Sequence, residues 1–197
     1  MIARTDRVNF SRTATLVADA SEMSLNLMAQ ALRAFGCGNV VRCETIDRAR
    51  KALQASFDLV LIDPSIADGA GYYLIQDVRR DPDNPNRATT IVSVTGHVRE
   101  NDVMQARDTG ANMVVSKPWS PETLLQRIVW AANDQRLFVE TESYVGPDRR
   151  HKNLGPPAGC DGRRATDLKT PLGGANSPNL SQVEIDQLVV PQRVLLK

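Results

Sequence analysis

Asp58-Leu59-Val60-Leu61-Ile62-Asp63 decides the fold: four consecutive large apolar residues bounded by aspartates. So short a run with no polar alternation reads as a strand covered on both faces, as in a parallel sheet. Similar runs recur at Thr15-Leu16-Val17-Ala18, Asn39-Val40-Val41, Thr90-Ile91-Val92-Ser93-Val94 and Met113-Val114-Val115. Between them the apolar spacing turns helical. Leu27, Met28, Ala31, Leu32 and Phe35 fall on one face, with Gly36 as a stop. Arg48–Ala55, Tyr72–Arg80, Asn101–Thr109 and Pro121–Asn133 supply four further helices, the last opened by Ser120 as N-cap and Pro121 at the first helical position. Five strand–helix repeats predict a doubly wound α/β domain over residues 13–138, behind an N-terminal extension 1–12.

The rest of the chain differs. Residues 139–179 are rich in Gly, Pro and Arg and poor in large apolar side chains, which predicts a disordered linker. Residues 180–197 regain apolar character as a short amphipathic segment. Across all 197 residues, 24 Lys+Arg against 23 Asp+Glu leave a net charge of +1, which argues against a dedicated nucleic-acid binder. No apolar run reaches the length of a membrane span, and no apolar stretch follows the N-terminal arginines as in a signal peptide. Cys37, Cys43 and Cys160 form no C-x-x-C pair, which suits a reducing cytoplasm. His97 and His151 have no metal-ligand or nucleophilic partner at useful spacing, so the expectation is a protein without enzymatic activity.

In an open α/β sheet ligands bind beyond the carboxyl ends of the strands. Asp19 ends the first strand, Asp63 the third and Thr95 the fourth, and Lys117-Pro118 follows the fifth. Each alone has a bland reading as a cap, a turn residue, a buried hydroxyl or a surface lysine. Together they bring two carboxylates, a hydroxyl and an ammonium to one edge.

With Leu16-Val17-Ala18-Asp19, Asp58 to Asp63, Val94-Thr95-Gly96, Gly110-Ala111 and Ser116-Lys117-Pro118-Trp119, residues 13–136 resemble the CheY-like receiver domain of two-component response regulators. The resemblance implies a sheet in the order 2-1-3-4-5. It makes Asp63 the acceptor of a phosphoryl group from a histidine kinase or histidine phosphotransferase. It places Mg²⁺ on Asp19 and Asp63, and assigns phosphoryl contact and switching to Lys117 and Thr95. The bond before Pro118 is often cis in this family, and signals pass through the face made by helix 4, strand 5 and helix 5.

The sequence departs from the family at three places. Placing Leu27, Met28, Leu32, Phe35 and Gly36 on the family's core positions makes Asp19 the first of the usual two acids and puts Ala20 where the second, a direct metal ligand, would stand. The Mg²⁺ site is then one carboxylate short, with Glu22 in the same loop. The turn Asp63-Pro64-Ser65-Ile66-Ala67-Asp68-Gly69-Ala70-Gly71 lacks the usual Met-Pro pair, and Val114 occupies the aromatic switch position. An alternative reading is therefore a phosphate-independent receiver-like adaptor.

No helix-turn-helix DNA-binding domain is recognisable after the receiver. Residues 180–189 are similar to the N-terminal docking peptide of the flagellar switch protein FliM. Leu180, Ile185, Leu188 and Val189 form its apolar stripe, and Ser181 with Glu184 forms a capping box. Such a peptide would dock on a receiver or another signalling protein, in cis or in trans. Paired arginines at Arg149-Arg150 and Arg163-Arg164 suit anion recognition, a cyclic dinucleotide among the options.

Overall fold

The computed structural model describes residues 9–96, 98–134, 136–149 and 181–189. The five apolar runs form parallel strands β1 (Ala14–Ala18), β2 (Asn39–Cys43), β3 (Leu59–Ile62), β4 (Thr90–Thr95) and β5 (Met113–Ser116), in the sheet order β2-β1-β3-β4-β5. The expected doubly wound architecture and strand order are therefore what the chain adopts. Register is fixed by the apolar pattern: Leu16 pairs with Val60, Val60 with Ile91, and Val94 with Val115. Side chains alternate across the sheet. Val17, Leu59, Leu61, Val92 and Val94 pack in one cluster with Met28, Leu32, Leu124 and Ile128. Leu16, Ala18, Val60, Ile62 and Ile91 pack in a second with Leu74, Ile75 and Val78. Each fully buried Leu or Ile in these layers contributes about 1.5–3 kcal/mol.

The connecting helices are α1 (Glu22–Ala34), α2 (Ile46–Ala52), α3 (Ile66–Arg80), α4 (Glu100–Asp108) and α5 (Pro121–Ala132). Ser21 caps α1 by accepting from the Ser24 amide at 3.3 Å, and Ser120 caps α5 by accepting from Thr123 at 3.1 Å. The inward face of α1 is not quite the expected one. Leu25, Met28, Ala29, Ala31 and Leu32 are buried, whereas Leu27 is 53% exposed. Among the described residues, no helix is long and apolar enough to cross a membrane.

Order extends past both expected boundaries of the domain. Phe10, assigned to the N-terminal extension, is buried in the first cluster. Beyond α5, β6 (Phe138–Glu140) and β7 (Val145–Pro147) pair as an antiparallel hairpin, so the linker does not begin at 139. Tyr144 is the reason. It is buried, and its hydroxyl donates to the Pro147 carbonyl at 2.5 Å. Gly146 lies so close to Gly110 that an added Cβ would sit 2.8 Å from the Gly110 Cα. Below the hairpin, buried Arg79 donates to the carbonyls of Gly110, Arg87 and Thr89 and to Asn112 Oδ1, and so satisfies three loop carbonyls at once.

The terminal helix α6 (Gln182–Val189) contacts β5 and α4. Ser181 and Glu184 form the expected capping box: Glu184 Oε2 accepts from the Ser181 amide and hydroxyl at 2.7 Å each.

Candidate phosphoryl-acceptor site

The ends of β1 and β3 converge on one ammonium, carried just past the end of β5. Lys117 Nζ donates to Asp19 Oδ2 and to Asp63 Oδ2, at 2.5 Å each. The Asp19 and Asp63 side chains are only 3% and 10% exposed, so this bridged pair is largely shielded from water. The Lys117–Pro118 bond is cis, as the resemblance implied.

Each carboxylate is also held by its own loop. Asp19 Oδ1 accepts from the Ser21 amide at 2.8 Å, and Oδ2 from the Ser24 hydroxyl at 2.5 Å. Asp63 Oδ1 accepts from the Ser65 amide at 2.9 Å and the Ser65 hydroxyl at 2.5 Å. The main chain fixes their height, because the Asp63 amide donates to Ala18 O at 2.8 Å and the Asp19 amide to Cys43 O at 3.1 Å. Thr95 is buried at the end of β4, in register with Ser116, and its carbonyl accepts from the Lys117 amide at 2.8 Å.

The turn after Asp63 is unusual. Ala67, Asp68 and Gly69 carry φ values of 50°, 55° and 94°, so α3 begins with a left-handed turn before becoming regular. Two of these residues are not glycine, and left-handed backbone disfavours them by roughly 1–2 kcal/mol each. Gly71 then packs against the turn: an added Cβ would lie 2.7 Å from Pro64 Cα and 2.8 Å from Asp63 O. One helical position further on, burial pushes the Tyr72 phenol well above the usual range, and the negative charges of Asp102 and Asp63 add to the effect against Arg99.

Of the residues singled out in the sequence, Asp19, Asp63 and Lys117 are brought into direct contact, with Thr95 one strand away. Ala20 is exposed, and Glu22 lies exposed in the first turn of α1. Among the described residues, no group of three or more His, Cys, Asp or Glu is placed to hold a metal. Two carboxylates aimed at one point still fit the one or two that usually hold Mg²⁺, with waters and phosphoryl oxygens completing its shell. Ser24 and Ser65 were missed in the sequence, although each lies within five residues of the aspartate it grips.

The tail residues divide. Ile185 is fully buried, whereas Leu180 and the side chains of Leu188 and Val189 lie outside the described residues. Arg149 is not an open anion site: it pairs with Asp108 at 2.7 Å and lies over the Tyr144 ring at 4.7 Å. Arg150, Arg163, Arg164 and His97 fall outside the described residues.

One further feature borders the site. An apolar groove of about 540 Å³ runs beside Lys117, lined in part by Met23, Leu27, Ala31, Pro118 and Trp119. Elsewhere in the fold, burial pushes the thiols of Cys37 and Cys43 up, against a thiolate at neutral pH.

Comparison with known proteins agrees with this geometry. Residues 15–129 match the model of the response regulator receiver domain. Over 89 residues the chain is 32% identical to the phosphate regulon transcriptional regulatory protein PhoB of Escherichia coli (strain K12), which covers 45% of this chain and 38% of that one. Over 90 residues it is 31% identical to the transcriptional regulatory protein KdpE of Staphylococcus aureus, covering 42% and 37%. The chain thus spans less than two fifths of these curated relatives. The fold is shared with the chemotaxis response regulator CheY4 of Vibrio cholerae, with a TM-score of 0.54 at 24% identity over 60% of this chain and 98% of that one. It is also shared with a putative pilus assembly-related protein of Burkholderia pseudomallei, with a TM-score of 0.53 at 24% identity over 65% and 96%. The family match ends before the tail, so the likeness of residues 180–189 to the FliM peptide rests on sequence alone. The chain belongs to the response regulator receiver domain family.

Proposed function

We propose that Asp63 accepts a phosphoryl group from a phosphohistidine on a histidine kinase or histidine phosphotransferase, and that the protein signals through protein contacts without catalysing a reaction on a substrate. The observation that carries this reading is the bridge of Lys117 between Asp19 and Asp63. A carboxylate attacking a phosphoryl group brings anions together, so a cation fixed within hydrogen-bond reach of the nucleophile supports the transition state. An Asp63 oxygen forms the new P–O bond while the P–N bond of the donor breaks, and the electron pair leaves with the imidazole. Ser65 keeps the carboxylate oriented through Oδ1, and Lys117 balances charge on the Oδ2 side. Thr95, buried at the end of β4, is the hydroxyl that turns toward the new phosphoryl oxygens. Mg²⁺, held by Asp19 and Asp63, would supply further charge neutralisation. The groove lined by Met23, Leu27 and Trp119 adjoins Lys117, and gives the donor protein an apolar seat from which its histidine reaches Asp63.

With Ala20 in place of an acid, the two carboxylates and one lysine leave a single net negative charge to attract Mg²⁺. Weak metal binding and slow phosphorylation follow. Incubation with a small phosphodonor and Mg²⁺, read by intact mass, tests the proposal. A phosphoryl adduct on the native chain that is missing from Asp63→Asn is expected. No adduct with any donor, or an adduct surviving in Asp63→Asn, overturns it.

A further inference from the structure

Among the described residues β5 is the last strand of the sheet, so its outer edge presents main-chain groups that no sixth strand of theirs satisfies. In this chain a side chain takes that place. Gln182 Oε1 accepts from the Ser116 amide at 2.8 Å and the Ser116 hydroxyl at 2.9 Å, and Gln182 Nε2 donates to the Val114 carbonyl at 3.2 Å. The carboxamide therefore pairs with Val114 and Ser116 as the N–H and C=O of one residue of an added parallel strand would. One turn further along α6, Ile185 is fully buried in the cluster that also holds Val103, Ala106 and Val114. Gln182 and Ile185 anchor the helix, while Val183 between them is 66% exposed.

We infer that α6 is a tethered ligand of the open β5 edge. It occupies the face that would otherwise receive a partner helix carrying a carboxamide three residues before a branched aliphatic side chain. Tethering makes the contact intramolecular, so two anchors suffice where a free peptide would bind weakly. A second consequence, resting on the reading of Asp63 as phosphoacceptor, is that phosphorylation loosens α6. Ser116, gripped by Gln182, immediately precedes Lys117 and is in register with Thr95. Both residues are drawn toward a phosphoryl group on Asp63. The Ser116 amide moves with them, out of the geometry that the carboxamide meets. By linkage, α6 in turn favours the unphosphorylated chain.

Amide hydrogen exchange and backbone resonances of the full-length chain test both parts. Gln182→Ala and Ile185→Ser are each expected to shift Val114 and Ser116 and to speed exchange at the Ser116 amide about tenfold. Val183→Ala should leave all three unchanged. Identical Ser116 exchange in the native chain and both anchor variants overturns the edge ligand. Protection that depends on protein concentration, with a dimer in solution, also overturns it, because the helix then comes from a second copy. Adding beryllofluoride with Mg²⁺ to the native chain should shift Ser65 and raise Ser116 exchange toward that of Ile185→Ser. A shift at Ser65 with Ser116 exchange unchanged or slower overturns the coupling alone. No shift at either site removes the phosphoacceptor reading and the coupling with it, while the variants still decide the edge ligand.

Discussion

Lys117→Met removes the ammonium and keeps most of the side-chain volume. In the native chain Lys117 Nζ lies 2.5 Å from one oxygen of each carboxylate, in surroundings where Asp19 and Asp63 have almost no access to water. Removing one partner of a buried ion pair typically destabilises by about 3–5 kcal/mol, because a charge is left without compensation. Here the loss is smaller. Ser21, Ser24 and Ser65 continue to donate to the stranded carboxylates, and charged hydrogen bonds of this kind contribute about 1.5–3 kcal/mol each. A net loss of about 2–3 kcal/mol is expected, which for a chain of this size lowers Tm by roughly 5–10 °C. The same substitution improves the cation site, because Mg²⁺ no longer competes with an ammonium at the point where the carboxylates meet. Its affinity should rise at least about tenfold, equivalent to 1.4 kcal/mol. Thermal unfolding with and without Mg²⁺, together with calorimetric Mg²⁺ titration, measures both effects. The variant should melt early without Mg²⁺ and recover with it. An unchanged Tm together with an unchanged or weaker Mg²⁺ affinity would refute the reasoning, since it would mean that Lys117 does not hold the carboxylates together.

Ala20→Asp adds the missing acid to the same loop, and calorimetry should show tighter Mg²⁺ binding and faster adduct formation from a small phosphodonor. Gly71→Ala drives a methyl group into the backbone of Asp63 and Pro64. It should destabilise the fold by about 1–3 kcal/mol in urea unfolding and slow phosphorylation. Burial holds the Tyr144 phenol up at about 12, and Arg149, Arg136 and Arg79 only partly offset it; Tyr72 is raised as well. A phenol whose folded pKa is raised stabilises fully below the unfolded value near 10, and that contribution is lost as pH rises through the folded value. The urea midpoint should therefore fall between about pH 10 and 12, and less steeply in Tyr144→Phe. Ultraviolet absorbance should show these two phenols ionising late.

The strands were legible because each is a short, uninterrupted apolar run, and Leu59–Ile62 has no amphipathic alternative. Asp19, Asp63, Thr95 and Lys117 were legible because strand ends set their height above the sheet. The inward face of α1 was less so. Leu25 and Leu27 are equally apolar, and hydrophobicity alone does not separate a core position from the wall of an exposed groove. Asp68-Gly69 carries a weak turn signal, since Asp and Gly tolerate left-handed backbone better than other residues, but nothing in Ala67 signals that the turn begins there. The β6–β7 hairpin was hidden by its Gly and Pro content, and its order comes from Tyr144, Gly146 and Arg79 meeting across the fold. Gln182 was missed for a similar reason. A polar residue on an amphipathic helix reads as solvated unless the bare strand edge beside it is known.

The most direct test of the central claim is to locate the modification itself. Borohydride reduces an aspartyl phosphate to homoserine, which marks the acceptor in a digested peptide by mass. After incubation with a phosphodonor and Mg²⁺, the homoserine should appear at position 63 and at no other aspartate. Homoserine at another residue, or at none while a phosphorylatable receiver run in parallel is marked, would contradict the assignment of Asp63 as the phosphoacceptor.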